Sequence, residues 1–302
     1  MKWRKLGLIK IVLSPTQWLD GYAAVPFAEN IGGDLFRIFF STRDLQNRSH
    51  VLWAEVDLRD PTRILRLADR PVLSPGVLGC FDDSGAMATW LAKAGGKRYL
   101  YYIGWNLRVT VPFHNSIGLA TSVEDAPFTR YADGPVIDRT MREPHFCASC
   151  CVLPGADCWR MWYLSCVGWS VAAGRPLHHY HIKYAESDDG INWRREGKVA
   201  IDLKGDGEYA ISRPTVMRDR DCWRMWYSYR GSRYRIGYAE SLDGITWSRQ
   251  DDRAGIEASV AGWDSEMIEY PHVFDHNGRR YMLYNGNGYG RTGFGLAVLE
   301  SA

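Results

Sequence analysis

Cys222-Trp223-Arg224-Met225-Trp226-Tyr227, a glycine-containing turn, Tyr234 to Glu240, and then Asp243-Gly244-Ile245-Thr246-Trp247 running on to Arg249 read as three β-strands in succession. Large apolar and polar residues alternate here at period two, and the Asp243-Gly244 step supplies the positive φ of a tight turn between strands. The pattern recurs earlier as Cys158-Trp159-Arg160-Met161-Trp162-Tyr163 and Tyr184-Ala185-Glu186-Ser187, followed by Asp189-Gly190-Ile191-Asn192-Trp193. The two halves lie further apart in the earlier copy, which locates an insertion at Gly168 to Tyr180. One such unit cannot bury both of its faces, so the self-similarity predicts small antiparallel sheets stacked on one another. Propeller repeats of about 40 to 50 residues give about five in a chain this long. The expected fold is all-β, a five-bladed β-propeller of four-stranded antiparallel blades, with residues 1–302 as one domain.

The remaining strands follow the same template. Inner strands are expected at Ala23 to Ala28, Gly85 to Ala92, Pro144 to Leu153, Ser212 to Met217 and Glu269 to Phe274, each followed by an aromatic-rich second strand such as Arg280-Tyr281-Met282-Leu283-Tyr284. The fifth repeat stops without an outer strand, and an unpaired edge invites aggregation. Lys5 to Leu13 is the expected filler, pairing with Phe294 to Leu299 and closing the ring.

Composition narrows the function classes. Hydrophobic residues make up 46% of the chain and aromatic residues 13%, ample for a core. The 37 basic and 35 acidic residues leave a formal charge of +2, and no basic run or helical pattern offers a nucleic-acid element. The apolar run Leu6-Gly7-Leu8-Ile9 is cut by Lys10 with no cleavage site after it, so the start reads as a strand and not a signal peptide. Nowhere is there the run of about 18 apolar residues that a membrane span needs. Seven cysteines, an odd count in a large chain, point to reduced thiols and a cytoplasmic setting. Cys147, Cys150 and Cys151 lack a second pair at zinc spacing and read as buried strand residues. His179 and His181 share a strand face at the end of the insertion but find no third ligand, so neither metal nor cofactor is expected.

In a propeller the inner strands line the central channel, and convergent polar side chains at their starts would form a site. Four of the expected inner strands carry a proline near their start, in Val25-Pro26, Arg142-Glu143-Pro144-His145, Ser212-Arg213-Pro214 and Glu269-Tyr270-Pro271-His272. With Phe81-Asp82-Asp83-Ser84, these segments place carboxylates, Arg142, Arg213, His145 and His272 in one ring. Asp82 and Asp264 align with each other and read as turn caps. The two arginines would either pair with the carboxylates or hold a carboxylate or phosphate of a ligand. Trp90, Trp105, Trp169 and Tyr209 are candidates to stack on sugar rings, whereas Trp162 and Trp226 read as packing between blades.

The Asp-Gly-Ile-x-Trp turns, the Arg-Met-Trp-Tyr strands and the inner-strand Glu-x-Pro-His of Glu269 to His272 resemble the five-bladed propeller glycosidases of the arabinanase, β-xylosidase, invertase and β-mannoside phosphorylase type. That resemblance covers nearly the whole chain. It implies a general acid at a Glu two residues before Pro-His, which Glu269 matches in spacing, although in the last blade instead of the third. Glu143 stands one residue before its proline in the third blade. The family's base or nucleophile is an Asp just before a proline in the first blade, and Val25 occupies that place here. Asp20 and Asp83 are the nearest substitutes.

The expected function is therefore a carbohydrate-active, glycoside hydrolase-like enzyme acting on a small intracellular glycoside. Glu269, Glu143 and Asp83 are its catalytic candidates, and Arg142, Arg213, His145, His272, Asp20, Trp105 and Tyr209 its substrate contacts. Phosphorolysis, non-hydrolytic biosynthetic chemistry on the same scaffold, and binding of a glycan or polar ligand without turnover are the alternatives. Of the carboxylates, Glu269 is the expected acid, because Trp263 and Tyr270 stand near enough in sequence to desolvate it.

Overall fold

The computed structural model describes residues 1–12, 19–205 and 207–301, without the side chains of Leu19, Asp20 and Ser301. Within these bounds the chain is almost entirely strand. After β1 (Lys2–Ile9) come β2 (Leu19–Gly32), β3 (Leu35–Asp44), β4 (Ser49–Asp57) and β5 (Asp60–Leu67), which pair in that order as an antiparallel group. The next group is β6 (Gly85–Ala94), β7 (Lys97–Leu107), β8 (Phe113–Val123) and β9 (Thr129–Arg130). It is followed by β10 (Cys147–Leu153), β11 (Trp159–Ala172) and β12 (Arg175–Ser187), with β13 (Trp193–Arg194) and β14 (Val199–Ile201) both on β12. Then come β15 (Ala210–Arg218), β16 (Trp223–Arg230), β17 (Tyr234–Ser241) and β18 (Ser248–Arg249). The last group is β19 (Glu269–His276), β20 (Arg279–Asn285) and β21 (Phe294–Ser301), with one short helical turn, Asn287–Gly290, before β21. Single parallel bridges, Ser49 to Gly85 and Tyr180 to Ala210, link consecutive groups at their rims.

β1 lies antiparallel to β21, from Lys2 opposite Ser301 to Ile9 opposite Phe294, so the two ends of the chain share one sheet. The pairing involves the expected stretch of β21, but the strand runs from Lys2 to Ile9; Leu13 lies outside the described residues. Trp3 anchors it, its indole N–H donating to the Ala254 carbonyl at 3.0 Å.

Two stretches that read as strands fold otherwise. Asp243 to Trp247 is a loop, and only Ser248–Arg249 pairs beyond it. The Asp243 carboxylate accepts the backbone N–H groups of Ile245 and Thr246, both at 2.8 Å, and Gly244 takes φ +77°. That side-chain cap offers the backbone an alternative to the ladder. Asp189 and Gly190 repeat it, with φ +72° at the glycine. Each loop is held by an aromatic residue of the preceding group: Tyr101 donates to the Gly190 carbonyl at 2.6 Å and Trp162 to that of Gly244 at 2.8 Å. The insertion, whose sequence reads as a surface loop with a strand end, is a strand extension. It lengthens β11 and β12 into one hairpin, turned by Ala173 and Gly174 at φ +49° and +73°.

A polar tie recurs between these elements. Tyr102, Tyr163 and Tyr284, each on the second strand of its group, donate to Asp82, Glu143 and Asp264, each 20 residues earlier. A cation completes each pair: Arg130 at 2.8 Å from Asp82, Lys183 and Arg195 at 2.9 and 2.7 Å from Glu143, and Lys5 at 2.6 Å from Asp264. Tyr227 makes the same tie to Asp251, from the other side in sequence. Around these ties the groups pack through large buried aromatics, Trp162, Trp226, Tyr184 and Tyr238 among them, each worth a few kcal/mol of burial.

Candidate functional site

In an antiparallel group the first strand begins at the end where the second and third strands turn. Inner-strand starts and second-to-third-strand hairpins therefore converge on one face. A cavity of ≈ 490 Å³ opens there, within the range of small-molecule sites. Its wall takes Arg43 and Asn47 from the β3–β4 turn, Leu107, Pro112 and Phe113 from β7–β8, His178 and Tyr180 from β12, Arg230 and Tyr234 from β16–β17, and Tyr289 from the turn before β21.

The floor comes from the inner strands, each of which has a register irregularity near its start. In three of them the irregularity sits at an X-Pro step. Val25, Arg213 and Tyr270, the residues before Pro26, Pro214 and Pro271, take φ of +56°, +52° and +56°. A left-handed backbone at a non-glycine residue costs on the order of 1–3 kcal/mol, most for a β-branched one. Proline fits the following position because a bulge asks for no ladder N–H. The freed N–H of each strained residue is caught by a neighbouring group: Val25 by Asn285 Oδ1 at 2.9 Å, Arg213 by Ser149 Oγ at 3.0 Å, and Tyr270 by Ser228 Oγ at 2.7 Å. All three residues border the cavity. In β10 the bulge falls at Ala148-Ser149, and the strand begins at Cys147 and not at Pro144, so Glu143 and Glu269 are not equivalent.

Glu269 is completely buried, and neither carboxyl oxygen accepts a hydrogen bond. Desolvation raises its pKa well above the ordinary carboxyl value, outweighing the pull of Arg230 and the Tyr270 hydroxyl. Its neighbours Tyr180, Tyr234, Tyr270 and Arg230 all line the cavity, which places the carboxyl directly behind the wall. Arg213 lies at the base, donating to the Thr89 carbonyl and, at 3.2 Å, to that of Pro26. Burial lowers its pKa to about 10, which still leaves it cationic at neutral pH. The long hairpin contributes an aromatic wall in which Phe113, Phe146, Trp169 and His178 pack at 5.5 to 5.8 Å, and His178 stacks on Tyr180 at 4.9 Å. Burial, with Arg230 close by, pushes His178 down to about 4, so its imidazole is neutral.

The other sequence candidates are spread around this site. Trp105 lines the cavity, its indole N–H on Ser49 Oγ at 3.1 Å and the Arg43 guanidinium over its ring at 5.6 Å. Tyr209 is half-buried under Arg230, 5.5 Å from ring to guanidinium. His272 is buried among Trp90, Phe27 and Phe274, and desolvation holds its pKa well below the usual imidazole range. Glu143 is buried in its ionic tie, and Asp83 caps a loop, accepting from the Gly79 N–H and the Ser84 hydroxyl, both at 3.0 Å. Arg142 is exposed and His145 half-buried, and neither lines the cavity. The Asp20 side chain lies outside the described residues. No cluster of three or more potential metal ligands occurs among the described residues. All seven cysteines are free, and burial pushes the thiols of Cys147 and Cys151 up to about 12.

Arg43, Arg230 and Tyr289 are cavity residues that reading the inner strands alone does not find. The topological rule finds them, since second-to-third-strand hairpins share the face where inner strands start.

No family model matches the chain. The Mycobacterium tuberculosis proteins MT1551 (strain CDC 1551 / Oshkosh) and Rv1502 (strain ATCC 25618 / H37Rv), both uncharacterised, are each 47% identical to it over 301 residues, 100% of either chain. Among solved structures it resembles BT0996 in its RGII complex at a TM-score of 0.76, with 17% identity over 99% of this chain and 93% of that one. It also resembles a thermostable family-43 glycoside hydrolase at 0.69, with 15% identity over 93% and 90%. A third likeness is to the Bombyx mori GH32 beta-fructofuranosidase BmSUC1 at 0.66, with 16% identity over 97% of this chain and 61% of that one. At these identities the likeness is one of fold: a β-propeller of the type found in GH43 and GH32 glycoside hydrolases.

Proposed function

The chain belongs to the family of the Mycobacterium tuberculosis proteins MT1551 and Rv1502, and we propose that it is a carbohydrate-active enzyme of glycosidase type. In this reading residues 1–302 form one domain, a five-bladed ring with β1 as the outer strand of its last blade. The ligand is a small glycoside held in the aromatic cavity, where Trp105 stacks on its ring. Seven free thiols fit a cytoplasmic setting.

The observation that carries the proposal is Glu269, a fully buried carboxyl whose pKa desolvation raises well above the ordinary value, directly behind a cavity of ligand size. Such a group is an acid in waiting. Its proton goes to the glycosidic oxygen as the bond from that oxygen to the anomeric carbon breaks. Water or phosphate forms the new bond to that carbon, and the proton it releases restores Glu269. The Arg230 charge, which already pulls the Glu269 pKa down, stabilises the carboxylate in between. Turnover of aryl glycosides, with and without phosphate, tests the assignment. Glu269→Gln is expected to slow it by about 100-fold or more; equal activity of the variant on a substrate with a poor leaving group would remove the role.

A second reading, binding without turnover, is favoured by one observation: no carboxylate lines the cavity among the described residues. Saturable binding of a glycoside that the wild type never cleaves would select it.

A further inference from the structure

Arg43, Arg213 and Arg230 line the cavity, with no carboxylate among the described residues, and the Arg213 guanidinium is fully buried beneath it. By contrast, Arg195, Arg249 and Arg280, mostly buried elsewhere in the protein, each hold a carboxylate at 2.7 Å. Among the described residues no carboxylate oxygen comes within 4.0 Å of the three cavity arginines. Their protein partners are neutral. Arg43 Nη1 donates to Asn47 Oδ1 at 2.7 Å, Arg230 Nη1 to the Tyr289 hydroxyl at 3.0 Å, and Arg213 to backbone carbonyls. The Nε–H groups of Arg213, which is fully buried, and Arg230 are shielded from solvent and have no acceptor. Uncompensated charge and unmade hydrogen bonds are costly in such surroundings and mark a place for a complementary group.

The guanidinium planes are also fixed. Arg230 lies between the rings of Tyr209 and Tyr234, at 5.5 and 5.1 Å, and Arg43 covers Trp105 at 5.6 Å. A stacked guanidinium presents its donors as a rigid fork, which suits the paired oxygens of a phosphate or carboxylate. Tyr289 borders both this cavity and an adjoining one of ≈ 360 Å³, which also includes Arg43, so the two arginines flank one continuous space.

We propose that Arg43 and Arg230 form an oxyanion seat in the cavity, so that its ligand is anionic, a sugar bearing a phosphate or carboxylate, with Arg213 adding charge from the floor. This deepens the reading of the cavity as a sugar site. It does not depend on Glu269 acting as an acid.

Calorimetric titration of the full-length protein at low salt tests it, with glucose 1-phosphate, glucuronic acid, inorganic phosphate and neutral methyl glucoside as probes. The charged sugars are expected to bind at least about tenfold more tightly than the neutral one, the worth of one charge-assisted hydrogen bond or more. Arg230→Gln and Arg43→Gln should each abolish that preference, while Arg230→Lys recovers part of it, and thermal melting checks that each variant folds. Inorganic phosphate binding alone, with the same dependence on Arg230, would identify a free oxyanion as the occupant; phosphate silent beside a tightly bound sugar phosphate would place the anion on the sugar. Equal affinity for neutral and charged sugars, or anion binding unchanged in both Gln variants, overturns the seat. Arginine-dependent anion binding by a protein that cleaves no glycoside would remove the acid chemistry and leave the seat standing.

Discussion

Glu143 and Glu269 both precede a proline in the sequence, and both are buried, yet their surroundings are opposite. Glu143 accepts from the Tyr163 hydroxyl at 2.8 Å and Ser165 at 3.2 Å, and pairs with Lys183 and Arg195 at 2.9 and 2.7 Å. Those hydrogen bonds and charges overcome the desolvation that alone would raise its pKa, and hold it below the ordinary value. Glu269 has only the weaker pull of Arg230 and the Tyr270 hydroxyl, and desolvation wins. Burial by itself therefore says nothing about a carboxyl's protonation; the number of donors reaching it decides. The satisfied carboxylate ties strands together, and the unsatisfied one stands behind a cavity.

The largest expected difference is in stability. Glu143→Ala strands Lys183 and Arg195, whose side chains are only 12% and 11% exposed, and should cost about 3–5 kcal/mol, the usual penalty for removing one partner of a buried pair. Glu269→Gln, which removes a group with no partner, should stay within about 1 kcal/mol of wild type at neutral pH. Urea unfolding of both variants measures the contrast, and equal losses would erase it.

The pH dependence should differ in sign. Glu143 has a folded-state pKa below its unfolded value near 4.5, so its stabilisation is present above that pH and is lost as pH falls through the lower folded value. Glu269 has a folded-state pKa above 4.5, so its contribution is complete below that pH and is lost as pH rises toward the raised value. Unfolding free energies of wild type, Glu143→Gln and Glu269→Gln from about pH 2 to pH 8 separate the two. The gap between wild type and Glu143→Gln should close on acidification, and wild type should lose ground to Glu269→Gln as pH rises. Parallel curves would mean that the two carboxyls titrate alike.

The smallest effect sharpens the account of the tie. Tyr163→Phe removes one donor among several on Glu143 and should cost about 1 kcal/mol by the same measurement. A loss as large as that of Glu143→Ala would shift the weight of the tie from the cations to the hydroxyl.

A repeat signal in the sequence distinguishes these carboxylates without coordinates. Asp82, Glu143 and Asp264 each stand 20 residues before a second-strand tyrosine that donates to them. Asp20 has the same offset from Phe40, which has no hydroxyl to give. Aligning the chain on its prolines instead pairs Glu143 with Glu269, although Pro144 lies ahead of β10 and the prolines of the other three strands lie in bulges. Proline marks a restricted backbone position, and a strand approach and a bulge satisfy that restriction equally well.

By itself the sequence determined the order of the main strands, the turn glycines of the Asp-Gly steps and the pairing of the chain's two ends, because period-two alternation and turn chemistry act over a few residues. Only the tertiary structure decided that Val25, Arg213 and Tyr270 border the cavity, that Arg43 and Arg230 meet there without a carboxylate among the described residues, and that β11 and β12 extend to build its aromatic wall. Those features depend on bulge position, on hairpin length and on which groups become neighbours. Residues far apart in the chain, such as Val25 and the Asn285 that caps its backbone N–H, settle them together.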